Sequence, residues 1–297
     1  MLSRYIEASG MSSEWLAVAA VGVAVISYFL GCFNGAVVVS RYILRNDVRA
    51  HGSGNAGLTN FYRVFGGPLT LVVILSDVVK AILSVLFAVF IAEKISLELV
   101  SLAQYWAGAF CLLGHMYPCT FQFRGGKGIL SGGAIVIMIG IGGGNPYSWC
   151  VPVVVWGGFL LLAVSTRYVS LGSCWPGLTL PIVSWFVYRD MLILWLSILM
   201  GGLILWKHRG NIVRLIKGTE SKFTLHKKAA AGTAPEKGGE TPEPAQDEPS
   251  TEGPKDMPAE ELAVEAAKDA PEAAPGEPPA ETGPEEPSAE ASQGDRA

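Results

Sequence analysis

The chain has 297 residues, of which 50% are hydrophobic and 16% charged, with a formal net charge of −4 at pH 7. That average joins two unlike parts: residues 1–228 carry 18 Lys and Arg against 8 Asp and Glu, and residues 229–297 carry 4 against 18. The acidic part is dominated by Ala, Pro, Glu and Gly and holds no aromatic residue, so it buries too little to offset its ordering entropy and reads as a disordered tail, outside the chemistry of the first 228 residues.

In 1–228 the apolar residues fall into long uncharged runs, and about 20 such residues suffice for a helix to cross a bilayer. The first run, 15–40, follows Glu7 and Glu14; without a basic leader it reads as an uncleaved anchor. Arg41, Arg45 and Arg49 come next, then a polar stretch from Ala50 to Arg63. A second run, 64–92, is interrupted only by Asp77 and Lys80. Being three apart they share a helix face, and the cost of ionisable groups in lipid directs that face toward protein. The third run, 99–123, contains His115 and Pro118 and ends in Arg124-Gly125-Gly126-Lys127-Gly128. From Gly128 to Thr166 there are 39 uncharged positions, enough for two spans joined by a turn at Gly142–Pro146.

After Arg167 come two shorter runs, 168–188 and 191–206, separated by Arg189-Asp190. The first is shorter still if Pro176 opens it, and the two read either as short, tilted or partly buried helices or as a re-entrant pair. The fold expected is all-α: a polytopic integral membrane bundle of about seven transmembrane helices, the last two short, with a disordered C-terminal tail. Loop cations alternate in density, which places the N-terminus outside and the glycine-rich loops and C-terminus in the cytoplasm. Cys32, Cys111, Cys119, Cys150 and Cys174 show no paired spacing, so neither a disulfide framework nor a zinc site is expected.

The polar clusters carry the functional signal. Gly52, Gly54 and Gly57 match a dinucleotide fingerprint, but that motif must follow a buried strand within a βαβ unit, and here it lies between membrane-length runs. Its chemistry suits a small anion instead. Glycines let backbone N–H groups approach a ligand, Ser53, Asn55, Thr59 and Asn60 add hydrogen-bonding groups, and Arg45, Arg49 and Arg63 add charge. Gly125, Gly126, Lys127 and Gly128 form a second glycine-rich cationic turn at a helix start. Arg167 with Ser170 and Ser173 is a third cluster, and His208 and Asn211 with Glu220 a fourth. Such an inventory positions and neutralises phosphates and lacks a strong nucleophile. Nothing in it calls for a metal, a cofactor or a nucleic-acid partner. A transporter for an anionic solute is the chief rival, but it would need access from both faces; a membrane anchor leaves the glycine motifs unexplained.

Taken in order, His51–Asn60 with Arg63, Asp77 with Lys80, Gly114–Gly128, Arg167–Ser173 and Lys207–Glu220 resemble the bacterial acyl-phosphate:glycerol-3-phosphate acyltransferase family. The resemblance covers essentially residues 1–225. It implies a multi-pass enzyme of the inner membrane, surrounded by membrane lipids. The implied reaction moves a fatty acyl group from acyl phosphate to the 1-hydroxyl of sn-glycerol 3-phosphate, giving lysophosphatidate and phosphate, the entry to phospholipid synthesis. The soluble enzyme that forms acyl phosphate is a further expected partner.

By matched position the resemblance gives Ser53, Asn55, Thr59, Asn60 and Arg63 to the first site motif and the Gly125–Gly128 loop to glycerol 3-phosphate. His208 and Asn211 fall to substrate contact, and Glu220 to a structural role. With Arg45, Arg63 and Lys127 holding the two anions, the catalytic set expected is Ser53, Arg63, Arg45, Lys127, His208 and Asn211. Gly52, Gly54, Asn55, Thr59, Asn60, Lys80, Gly125, Gly126, Gly128, Arg167, Ser170 and Ser173 are expected to bind substrate, and Asp77 to be structural. The chain departs from the family at Cys32-Phe33-Asn34, where members usually show Ser-Ile-Pro, and this puts the kink of the first helix in question.

Overall fold

A computed structural model describes residues 2–142 and 144–222; the acidic tail lies outside the described residues. The helices are α1 (Leu2–Ser9), α2 (Ser13–Cys32), α3 (Gly35–Val38), α4 (Leu58–Val64), α5 (Leu69–Ile95), α6 (Val100–Met116), α7 (Ile129–Gly142), α8 (Cys150–Thr166), α9 (Val169–Tyr188), α10 (Met191–Lys207) and α11 (Arg209–Ile216). No strand is present among the described residues.

Helix α6 is the axis of the bundle. Eleven of its 17 residues are buried, and it packs on α2, α5, α7 and α10. Tyr105, Leu112 and Met116 on α6 meet Ile135 and Ile139 on α7, Leu180 on α9 and Met200 on α10 in one core. The outward faces are also apolar: Leu71, Leu75, Phe90, Leu161, Val164, Ile182 and Phe186 are exposed. A helix apolar on both faces belongs in lipid, where backbone groups must be satisfied within the helix.

Among the described residues three stretches, Ser13–Ile43, Leu69–Ile95 and Leu97–Phe121, are long and apolar enough to cross a membrane, and α10 with α11 makes a fourth candidate bent by 59°. The molecule is a multi-pass membrane bundle. Small residues bring its helices together. A side chain at Gly31 would strike the Cys111 carbonyl and one at Gly114 the Tyr28 carbonyl, so α2 and α6 touch backbone to backbone; Gly177 and Gly201 do the same for α9 and α10.

Two points left open by the sequence are decided here. Pro176 does not open α9: the helix begins at Val169 and carries both Pro176 and Pro181 inside it. Despite the absent proline, α2 still breaks, ending at Cys32 before α3 restarts at Gly35. Asn34 makes the restart, its Oδ1 accepting from the Val37 amide at 3.1 Å. The break also brings Cys32 Sγ to 3.8 Å from Cys119 Sγ, a pairing of free thiols that a sequence separation of 87 hides from any spacing rule.

The loops gather at two ends. At one, Tyr5 of α1 donates to Asp190 at 2.8 Å and Asn145 to the Val187 carbonyl at 2.8 Å. At the other lie the segments around residues 45–57, 117–128, 167–170 and 208–220, which the next contacts tie together.

Candidate active site

The first glycine loop is built around one amide. Asn60 on α4 is buried; its Oδ1 accepts from the Ser53 amide at 2.9 Å, and the two hydrogens of its Nδ2 are shared among the carbonyls of Val48 (3.1 Å), His51 (3.0 Å) and Asn55 (3.1 Å). The chain can wrap this way because Gly52 and Gly54 take left-handed φ of +59° and +69°, and because a side chain at Gly52 would strike Asn60 Oδ1. Asn60, expected among the substrate contacts, is thus engaged inside the loop. Ser53, Thr59 and Arg63 are left on its exposed side, with Asn55 half-buried. Arg45 is exposed with a φ of 51°. Arg49, expected to lend its charge to this stretch, instead clamps Asp47 and reaches the Phe121 carbonyl at 2.9 Å, pinning this loop to the next.

In the second loop the amides of Gly125 and Gly126 turn inward, each donating at 3.2 Å to the Met116 and His115 carbonyls that end α6. Anion chemistry here therefore rests on Lys127, with the start of α7 just beyond it. Lys127 Nζ donates to Asn211 Oδ1 on α11. Burial lowers the Lys127 pKa, and the Arg214 charge lowers it further, with Arg63 contributing in the same sense.

Asn211 is the hub of the third and fourth clusters. Its Nδ2 donates to Ser170 Oγ at 3.0 Å and to Glu220 Oε1 at 2.8 Å; Ser170 donates to the same carboxylate, and Arg214 Nε donates to Oε2 at 2.6 Å. Burial would raise the Glu220 pKa, but the bonds from Ser170, Asn211 and Arg214 outweigh it and hold the carboxylate below its ordinary range. His208 sits at the bend between α10 and α11. Its Nδ1 faces the Ile204 carbonyl at 2.8 Å, so that nitrogen carries the proton and Nε2 keeps its lone pair. Burial pushes the His208 pKa down to about 4, with the Lys127 charge acting in the same sense, so the ring is neutral at pH 7.

The structure brings Lys127, Ser170, Asn211 and Glu220 into one network, with His208 beside it. It does not bring Lys80 or Ser173 there. Ser173 Oγ donates back to the Val169 carbonyl at 2.8 Å, and Lys80 is buried with its ammonium engaged by Phe33, Asp77 and His115. Arg167 is exposed at the end of α8. Arg214 was missed; its place three after Asn211 on a short helix and six before Glu220 was the available signal.

A helical bundle with apolar faces both inside and out, and with its polar loops tied together at one end, defines a multi-pass integral membrane protein. Residues 21–218 match the glycerol-3-phosphate acyltransferase family, and the chain belongs to that family. The glycerol-3-phosphate acyltransferase of Paraburkholderia xenovorans is 34% identical over 218 residues, spanning 73% of this chain and 97% of that one. The Pseudomonas syringae pv. syringae protein of the same name is 36% identical over 198 residues, 66% and 94% of the two chains.

Crystal structures of the integral membrane glycerol 3-phosphate acyltransferase PlsY (YgiH) are similar in fold. Its glycerol 3-phosphate form superposes with a TM-score of 0.59 at 28% identity, over 69% of this chain and 96% of that one. The lysophosphatidic acid form gives a TM-score of 0.57 at the same identity, over 69% and 95%.

Proposed function

We propose that the chain transfers a fatty acyl group from acyl phosphate to the 1-hydroxyl of sn-glycerol 3-phosphate, releasing lysophosphatidate and inorganic phosphate. The observation that carries the reading is the network joining Lys127, Asn211, Ser170 and Glu220, with a neutral His208 beside it. Two substrate phosphates repel each other, and Lys127, Arg63 and Arg45 offset that repulsion. Ser53, Asn55 and Thr59 hydrogen-bond to the substrates from the first loop, and Arg167 adds charge at the rim.

The 1-hydroxyl oxygen attacks the acyl carbonyl carbon, the bond from that carbon to the phosphate oxygen breaks, and an oxygen of a substrate phosphate takes the hydroxyl proton. His208 Nε2 accepts from the neighbouring 2-hydroxyl and so orients the glycerol, leaving the proton of the 1-hydroxyl to the phosphate. Because the donor is already activated, orientation and charge stabilisation account for the catalysis without a protein nucleophile or a cofactor. The cation-rich end, with Lys127, Arg167, Lys207, Arg209 and Arg214 against Arg4, Lys94 and Arg189 at the other, faces the bacterial cytoplasm across the inner membrane. A soluble enzyme supplying acyl phosphate would meet it there.

The test is purified protein in detergent with acyl phosphate and labelled glycerol 3-phosphate, scored for lysophosphatidate. Turnover with acyl-CoA alone would sink the donor assignment. Lys127→Ala removes a charge-assisted contact of about 1.5–3 kcal/mol, so KM for glycerol 3-phosphate should rise roughly ten- to a hundredfold. An unchanged KM would remove Lys127 from the site.

A further inference from the structure

Beneath the two glycine loops lies a buried trio to which the proposed mechanism gives no task. Lys80 Nζ contacts Asp77 Oδ1 at 2.7 Å, the Phe33 carbonyl at 2.5 Å and His115 Nδ1 at 2.8 Å. These acceptors come from its own helix α5, from the break in α2 and from the last turn of α6. An ammonium has three hydrogens and no lone pair, so each acceptor takes one hydrogen and Nδ1 is the unprotonated nitrogen of His115. The ring proton is then on Nε2.

Both glycine loops are anchored to this trio. His115 Nε2 lies against Gly126, where an added side chain would strike that nitrogen and come within 2.7 Å of the Ala56 carbonyl. The Gly126 amide returns to the His115 carbonyl at 3.2 Å. Ala56, in the first loop, is held by Asn34 Nδ2 at 3.1 Å, and Asn34 directly follows the Phe33 whose carbonyl Lys80 binds. From Lys80, one route runs through Phe33 and Asn34 to the first loop and another through His115 to the second. A pair serving only to neutralise charge would need Asp77 and Lys80 alone. The bonds to Phe33 and His115 go further, and they are the ones that reach the loops.

We propose that Asp77, Lys80 and His115 form a positioning unit that fixes the separation of the two glycine loops, and through it the alignment of the two bound phosphates. The proposal rests on the acyl-transfer reading above. It assigns His115 a role through Gly126, without contact to the reacting atoms. If each loop still binds its own anion while their separation drifts, KM is kept and kcat falls, because small misplacements of reacting groups cost about a hundredfold.

His115→Asn keeps an acceptor near Nδ1 for Lys80 but loses the ring edge at Gly126. The expected result is kcat reduced roughly ten- to a hundredfold per folded enzyme, both KM values within about threefold of wild type, and an unchanged melting temperature. Gly126→Ala should cost several-fold less in the Asn background than alone, since one of the two atoms it strikes is gone. Wild-type kcat in folded His115→Asn, or losses that simply multiply, would overturn the proposal.

The unmodified enzyme supplies a measurement that no folding defect can obscure. The 15N chemical shifts of His115 should report an unprotonated Nδ1 and a protonated Nε2, and the opposite tautomer would equally overturn it. Wild-type protein showing this tautomer but no turnover of acyl phosphate would refute the reaction while leaving the trio's geometry standing.

Discussion

Four hydrogen bonds converge on the side-chain amide of Asn60, and they show what a polar residue in a glycine loop leaves undecided in the sequence. Scaffold and ligand contact call for the same donors and acceptors; only the direction of the side chain separates them. For Asn60 and Ser173 that direction is inward, and for Ser53 and Thr59 it is outward. Asn60→Ala should therefore destabilise the loop by about 2–4 kcal/mol, the cost of leaving several buried backbone groups without partners. A lowered melting temperature that bound substrate partly restores would show it; an unchanged one would return Asn60 to the ligand.

His208 makes a different residue-scale prediction. Its pKa is held at about 4 in the fold, against 6.5 for a free side chain. Between those values the unfolded chain binds more protons than the folded one, so the contribution is full above pH 6.5 and declines as pH falls toward 4. Melting temperature should fall more steeply over that window in wild type than in His208→Gln. Parallel curves would mean that the ring is not buried as a neutral base.

At the scale of elements, hydrophobic runs place the long helices well, because a bilayer leaves the backbone no other partner. The same physics decides where Pro176 falls. Proline commonly starts helices in water, yet in α9 the surrounding bundle carries the helix straight through two of them. The break in α2 was legible only as a question, since its stabilising groups, Asn34 and Lys80, act on carbonyls and amides that no motif names. The join between Ser170, Asn211 and Glu220 was equally invisible: each lay in a recognised cluster, but contact across 41 and 50 positions belongs to packing.

Packing makes its own forecast at Gly201, where a side chain would run into the Gly177 backbone, while at neighbouring Gly202 it would meet nothing within 4 Å. Gly201→Val should lose about 1–3 kcal/mol through separation of α9 and α10, whereas Gly202→Val serves as the control. Equal thermal stability of the two variants in detergent would contradict this contact.

For the molecule as a whole, the consequential feature is that every recognised polar cluster lies at one end of the bundle. On the proposed reaction, a water-soluble acceptor enters from that side only, and the lipid product is made at the level of the adjoining headgroups. Enzyme reconstituted with this end facing outward should therefore place new lysophosphatidate in the outer leaflet, where albumin extracts it. Equal labelling of both leaflets at early times would refute this one-sidedness. Synthesis of this kind adds area to one leaflet alone, so a bilayer growing by it accumulates curvature stress, and the balance between its two halves has to be restored by movement of lipid elsewhere in the membrane.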